Sequence, residues 1–199
     1  MAEKRSRTGS MMKNIFNKGN TDWYTDAFKA FEDRLNGQTS SEIHKLRKKA
    51  LRSFQELGFP TTKHEEWRYT NISPLIDNNF EISESYSSGE LSQKDTEKFQ
   101  FHGLESRCLV FVNGHFASEL SNTKGITENV EILSLHKAID QNPDLVSPHF
   151  AKYALINDQS FVSLNTAFLQ DGTFINIPEG VRLEKPIHLL YLSVPDVRP

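Results

Sequence analysis

The stretch FPTTKHEEWRYTNISPL, from Phe59 to Leu75, holds histidine, glutamate, arginine, tryptophan, tyrosine and threonine within a few positions of one another. Side chains of these types do acid–base, metal and recognition chemistry, and their spacing decides which of these is open to them. His64-Glu65-Glu66-Trp67-Arg68 begins like a zincin helix, in which two histidines one turn apart hold zinc. The second histidine would have to be residue 68, and that residue is Arg68. Glu65 and Glu66 are adjacent, and adjacent side chains on a helix diverge rather than face each other as a general acid and base do. Thr62 with Glu65 three residues on reads as a capping box that opens a helix. Trp67 and Tyr69 read as anchors, with apolar bodies packed and polar tips satisfied. The stretch is a structural fitting first and a partner-contact surface second.

The remaining chemistry is sparse. The seven histidines, His44, His64, His102, His115, His136, His149 and His188, show no metal-ligand spacing with one another or with Cys108. Cys108 is the single cysteine, so the chain has no internal disulfide framework, which fits a reducing compartment. One thiol also makes no zinc or iron–sulfur site by itself. It opens an apolar strand and is expected to be buried and inert. No GxSxG elbow, P-loop or dinucleotide fingerprint is present. On these grounds no residue is assigned a catalytic, cofactor-binding or metal-binding role, and no enzyme is expected.

The elements that would position such residues follow from periodicity. WYTDAFKAFEDRL places Trp23, Ala27, Phe28, Phe31 and Leu35 on one helical face, with Gly37 as a stop. A second helix opens on a capping box of Thr39 and Glu42, and carries Ile43, Leu46, Ala50, Phe54 and Leu57 as its apolar stripe. Gly58 supplies its left-handed end and Pro60 forbids continuation. Lys45, Arg47, Lys48, Lys49 and Arg52 are expected on the solvated face. The polar run 77–100 reads as a connector. CLVFVNGHFASEL is then a hairpin turning on Asn113-Gly114, because both positions need positive φ. VEILSL is a strand, while PDLVSPHFAKYAL and SFVSLNTAFL are short helices. Strands follow around Phe174–Ile177 and Ile187–Ser193, separated by Pro178-Glu179-Gly180. Short strands without long crossover helices argue against a doubly wound sheet and fit a sandwich, a barrel or a β-solenoid.

This order divides the chain of 199 residues into a disordered basic tail (1–20), a helical region (21–76), the connector (77–100) and a β-rich region (101–199). Met11 and Met12 are alternative starts, with the preceding residues then a tail. A net charge of −3 with no basic stripe offers nothing to nucleic acid or to an anionic membrane surface. No apolar run reaches the roughly 20 residues that span a bilayer. The first residues lack the apolar centre of a secretory signal, so a cytoplasmic protein is expected.

Two stretches carry a resemblance. GFPTTKHEEWRYTNISPL is similar to the N-terminal signature of the SufB/SufD family of iron–sulfur cluster assembly proteins, on its SufD side. SFVSLNTAFLQDGTFINIPEGVRLEKPIHLLYLS resembles the start of that family's shared core, and LVFVNGHF matches what lies between. The resemblance runs from about Trp23 to the end. It implies an α+β protein: an N-terminal helical region followed by the start of a right-handed parallel β-helix. It also implies a scaffold role beside SufB and the ATPase SufC, with an iron–sulfur cluster only transiently present on the full complex and no cofactor in this portion.

Family members are about twice this length, so the chain is expected to be an N-terminal portion. The SufC contact, the SufB–SufD pairing surface and the residues implicated in cluster formation would lie in the other half. An edge left open after Ile187–Ser193 would expose Ile187, Leu189 and Tyr191 and favour self-association. The competing readings are a fragment of a β-helix carbohydrate-active enzyme and a helical adaptor module.

Overall fold

Apolar residues at helical spacing dominate the first part of the chain, and there helices form. The computed structural model describes residues 21–35, 41–78, 82–83, 91–123 and 129–194. The basic tail, Gly37, Thr39 and parts of the polar connector lie outside them. Helix α1 spans 21–34. Helix α2, Glu42–Leu57, opens on Ser41, whose hydroxyl accepts the His44 N–H. Ser41 rather than Thr39 therefore caps this helix, and Glu42 occupies its first turn, where a negative charge suits the helix dipole. Gly58 ends it with φ +64°, and its N–H donates to the Phe54 carbonyl.

The chain separates into two compact units, and the β-rich stretch of the sequence is shared between them. One unit contains Met1–Ile82 and Pro148–Leu169; the other contains Ser83–Ser147 and Gln170–Pro199. In the helical unit a turn at Glu65–Trp67 and helix α3, Ser73–Ile76, follow α2. Helix α7, Ser160–Ala167, returns to complete this unit's core. Phe28 and Phe31 of α1, Ala50 and Leu51 of α2, Ile156 and Ala167 form that core, with Phe168 against it. Phe54 and Phe59 meet edge-to-face at 5.0 Å, an arrangement that suits the ring quadrupoles.

The second unit begins with α4, Gln93–Glu97, inside the run read as a connector. Ser92 and Asp95 form a reciprocal capping box there, which holds the Asp95 carboxyl well below the usual carboxylate range, the Ser92 hydroxyl bond being the largest cause. Strand β1, Arg107–Val112, turns at Asn113 (φ 49°) and Gly114 (φ 88°) into β2, His115–Phe116. This is the expected hairpin, paired Phe111 to Phe116 and Val112 to His115. On its other side β1 pairs in parallel with β5, Ile187–Leu192, from Arg107 opposite Ile187 to Val112 opposite Leu192. Strands β3, Glu131–Ser134, and β4, Thr173–Asn176, make a separate antiparallel pair. Between them in sequence lie α5, Leu135–Gln141, and α6, Pro143–Val146; the chain beyond α6 continues as turns rather than as the longer helix expected.

Cys108, Val110 and Val112 of β1, Ala117, Leu120 and Leu190 bury one face of the three-stranded sheet. Among the described residues the architecture is helices with two small sheets, holding one parallel strand pair.

Candidate functional site

The turn that carries the signature is held from beneath and open above. Phe59 is buried and meets Phe161 at 5.8 Å, and Trp67 lies on the same ring at 5.3 Å. The chain between is closed by His64, whose Nδ1 accepts the Thr61 N–H at 3.0 Å while its own N–H donates to the Thr61 carbonyl. The expected Thr62–Glu65 capping box does not form; His64 takes the cap position, without a side-chain cap bond. Thr62, Lys63, Glu65, Glu66 and Arg68 are all exposed. Trp67 anchors as expected, but Tyr69 is 91% exposed with the Arg68 guanidinium 5.6 Å from its ring centre. A rigid turn with its polar side chains outward suits recognition, since little ordering remains to be done on contact.

A second polar group is buried in the helical unit. His44 is fully buried, stacked on Phe28, and its Nε2 lies 2.8 Å from Glu32 Oε1. The same oxygen receives Lys48 at 2.7 Å. Together they depress the Glu32 carboxyl below its ordinary value, the Lys48 hydrogen bond being the largest cause. Arg47, expected on the solvated face, is 6% exposed. Its Nε donates to the Leu169 carbonyl at 2.8 Å and its guanidinium lies over Phe31. Burial pulls its pKa down from the usual arginine value. Leu57, assigned to the stripe, is instead 38% exposed. The buried face of α2 runs through His44, Arg47, Ala50, Leu51, Ser53 and Phe54. Including Leu51 in the apolar stripe would have rotated it onto this face.

In the sheet unit, Asn113 does more than turn the hairpin. Its side-chain oxygen accepts the Val194 N–H at 2.9 Å and its amide donates to the Val194 carbonyl at 3.1 Å, fastening the chain after β5. Asp171 joins two segments: Oδ2 accepts the Phe116 N–H and Oδ1 the His136 N–H.

The other histidines stay dispersed. His115 Nε2 bonds the Ser83 carbonyl, His149 the Tyr153 hydroxyl, and His136 lies 3.8 Å from Asp140; His102 is exposed. His188 is the parallel-strand neighbour of Cys108. Cys108 is buried, and burial pushes its thiol pKa up, as the sequence led one to expect of an inert thiol. Among the described residues no three His, Cys, Asp or Glu side chains gather as a metal cage. None of the described helices is long and apolar enough to cross a membrane.

The signature turn is thus exposed on the helical unit, and among the described residues the last strand of the sheet unit is paired along one edge only. The chain belongs to the SufBD protein family, matching the model of its N-terminal region over residues 18–189. It is 30% identical over 166 residues to an iron–sulfur cluster assembly SufBD family protein of Synechocystis, covering 83% of this chain and 36% of that relative. The iron–sulfur cluster assembly protein SufD of Escherichia coli is 29% identical over 144 residues, 72% of this chain and 30% of that protein. The SufB protein of Bacillus subtilis is 31% identical over 99 residues, 48% of this chain and 21% of that protein. The chain thus spans about a third or less of the curated relatives it matches. Neither the carbohydrate-enzyme reading nor the free-standing adaptor reading finds support in these matches.

Proposed function

We propose that this chain is the N-terminal module of a SufD-like scaffold component in a cytoplasmic iron–sulfur cluster assembly complex, with SufB and SufC proteins as its partners. Its work is structural rather than catalytic, and the cluster is cargo of the assembled complex. The observation that carries this reading is the family match, which covers most of both units, from residue 18 to residue 189. The wider coverage of this chain by the E. coli SufD alignment than by the B. subtilis SufB alignment favours the SufD side.

Strand β5 fits the same reading. It runs parallel to β1, and among the described residues no strand pairs with its other edge; a solenoid grows by pairing each coil's strands with the next. A right-handed parallel β-helix continuing from β5 in a longer chain is therefore part of the proposal. The test is co-expression with SufB and SufC followed by affinity capture through a tag on this chain. Co-purification of either partner is the expected result. Recovery of the chain alone, folded by circular dichroism, would remove the partner assignment.

A further inference from the structure

A parallel strand pair is left unfinished where one strand turns away, and here a side chain finishes it. The Arg107 N–H donates to the Pro186 carbonyl and the Asn113 N–H to the Leu192 carbonyl. Even-numbered residues of β5 therefore turn their backbone groups toward β1 and odd-numbered ones away, since the direction alternates along a strand. Val194 is next in the inward series, but β1 has already turned at Asn113 (φ 49°) and Gly114 (φ 88°). The Asn113 side chain stands in for the missing peptide group. Its Oδ1 accepts the Val194 N–H at 2.9 Å and its Nδ2 donates to the Val194 carbonyl at 3.1 Å. A carboxamide supplies both an acceptor and a donor; a carboxylate there would have no donor to offer.

The same dipeptide is chemically vulnerable. Asparagine followed by glycine loses ammonia through a ring. The Gly114 nitrogen attacks Cγ of Asn113, the N–Cγ bond forms, the Cγ–Nδ2 bond breaks, and the Gly114 amide proton leaves with the ammonia. Water then opens the imide on either side, giving aspartate or isoaspartate. Glycine hinders the attack least because it has no Cβ, and Gly114 is exposed, with nothing within 4 Å of where a Cβ would stand.

We infer that Asn113 is a gated deamidation site and that Val194 is its gate. Ring closure needs the amide swung onto the Gly114 nitrogen with Nδ2 released, whereas the clasp holds both amide atoms on Val194. Reaction therefore proceeds from the open state, which the two hydrogen bonds hold down about thirtyfold, or about 2 kcal/mol. The product does not rebuild the clasp. Aspartate sets a carboxylate against the Val194 carbonyl. Isoaspartate lengthens the backbone inside the turn, where Phe111 pairs with Phe116 and Val112 with His115. Conversion thus unfastens Val194 and loosens the hairpin in one irreversible step. This inference is independent of the scaffold reading.

The test is incubation of the full chain in mildly alkaline buffer, read by peptide mapping and by enzymatic methyl labelling of isoaspartate. Mapping assigns the conversion to a residue, because the chain holds a second Asn-Gly at Asn36-Gly37. Asn113 should convert about thirtyfold more slowly in the folded chain than in denaturant. Hydrogen exchange of the Val194 amide should be slowed by a similar factor, since both processes report the same opening. Val194→Pro removes the N–H and with it one of the two bonds, so conversion should quicken about fivefold with native circular dichroism. Val194→Ala keeps both backbone groups and should convert at the natural rate. Equal conversion in folded and denatured chains, a freely exchanging Val194 amide, or a folded Val194→Pro chain as protected as the natural one would each overturn the inference. Should Val194→Pro fail to fold, the match between exchange and conversion decides.

Discussion

In the helical unit His44 and Arg47 are buried and hydrogen-bonded; in the sheet unit, among the described residues, no strand pairs with the outward backbone groups of Ile187, Leu189 and Tyr191. The contrast is one of backbone bookkeeping. A helix satisfies its own peptide groups, so packing α1, α2 and α7 needs only complementary side chains, polar ones included if each finds a partner. A sheet satisfies its peptide groups only through neighbours, and the last strand always lacks one. The helical unit builds its core from its own side chains, while in the sheet unit one edge of β5 is unpaired among the described residues.

The largest expected effect tests closure of the helical unit. Phe54 is fully buried and meets Tyr24 and Phe59 edge-on. Phe54→Ala should cost about 3–5 kcal/mol, read as a lowered denaturation midpoint. A loss below about 1 kcal/mol, the level of a surface change, would mean that the unit is not packed as described.

In the sheet unit Gly114 holds φ 88° with open space around the position of a Cβ. Gly114→Val should therefore lose about 1–2 kcal/mol through backbone strain alone, without a clash. Denaturant titration separates this from no effect, which would mean that the hairpin takes another turn.

Glu32→Gln probes the His44–Glu32–Lys48 cluster, where loss of about 1 kcal/mol is expected at neutral pH, because Lys48 is half exposed and screened. The folded-state pKa of Glu32 is depressed. Its contribution is thus complete above the unfolded value of about 4.3 and is lost as pH falls through the lower folded value. The difference between natural and variant chains should shrink on acidification; a difference growing toward acid would contradict this ion pair.

The smallest stability effect belongs to Leu189→Lys. At a solvent-facing edge it should change stability by no more than about 0.5 kcal/mol. A large loss would show that Leu189 is covered within the chain itself.

Legibility followed the same division. The hairpin at Asn113-Gly114 was readable because its backbone demand falls on two residues whose types announce it. Gly58 announced the end of α2 for the same reason. The buried face of α2 was read about one residue out of phase, since His44 and Arg47 look like surface residues until Glu32 and the Leu169 carbonyl, distant in sequence, are seen beside them. Helix α4 was hidden in a polar run because its only sequence mark is the Ser92–Asp95 cap. The partnership of 148–169 with the helices was equally invisible, being a matter of long-range packing. Of the signature turn, the resemblance was legible, but the exposure of Tyr69 was not: a tyrosine between Arg68 and Thr70 reads the same buried or bare.

Amide hydrogen exchange of dilute, monomeric protein tests the open edge most directly. His188, Leu190 and Leu192 should exchange slowly, because their N–H groups face β1, while Ile187, Leu189 and Tyr191 exchange rapidly. Equal protection of the two sets in this chain would mean that the outer edge of β5 is occupied, and would contradict the strand arrangement described.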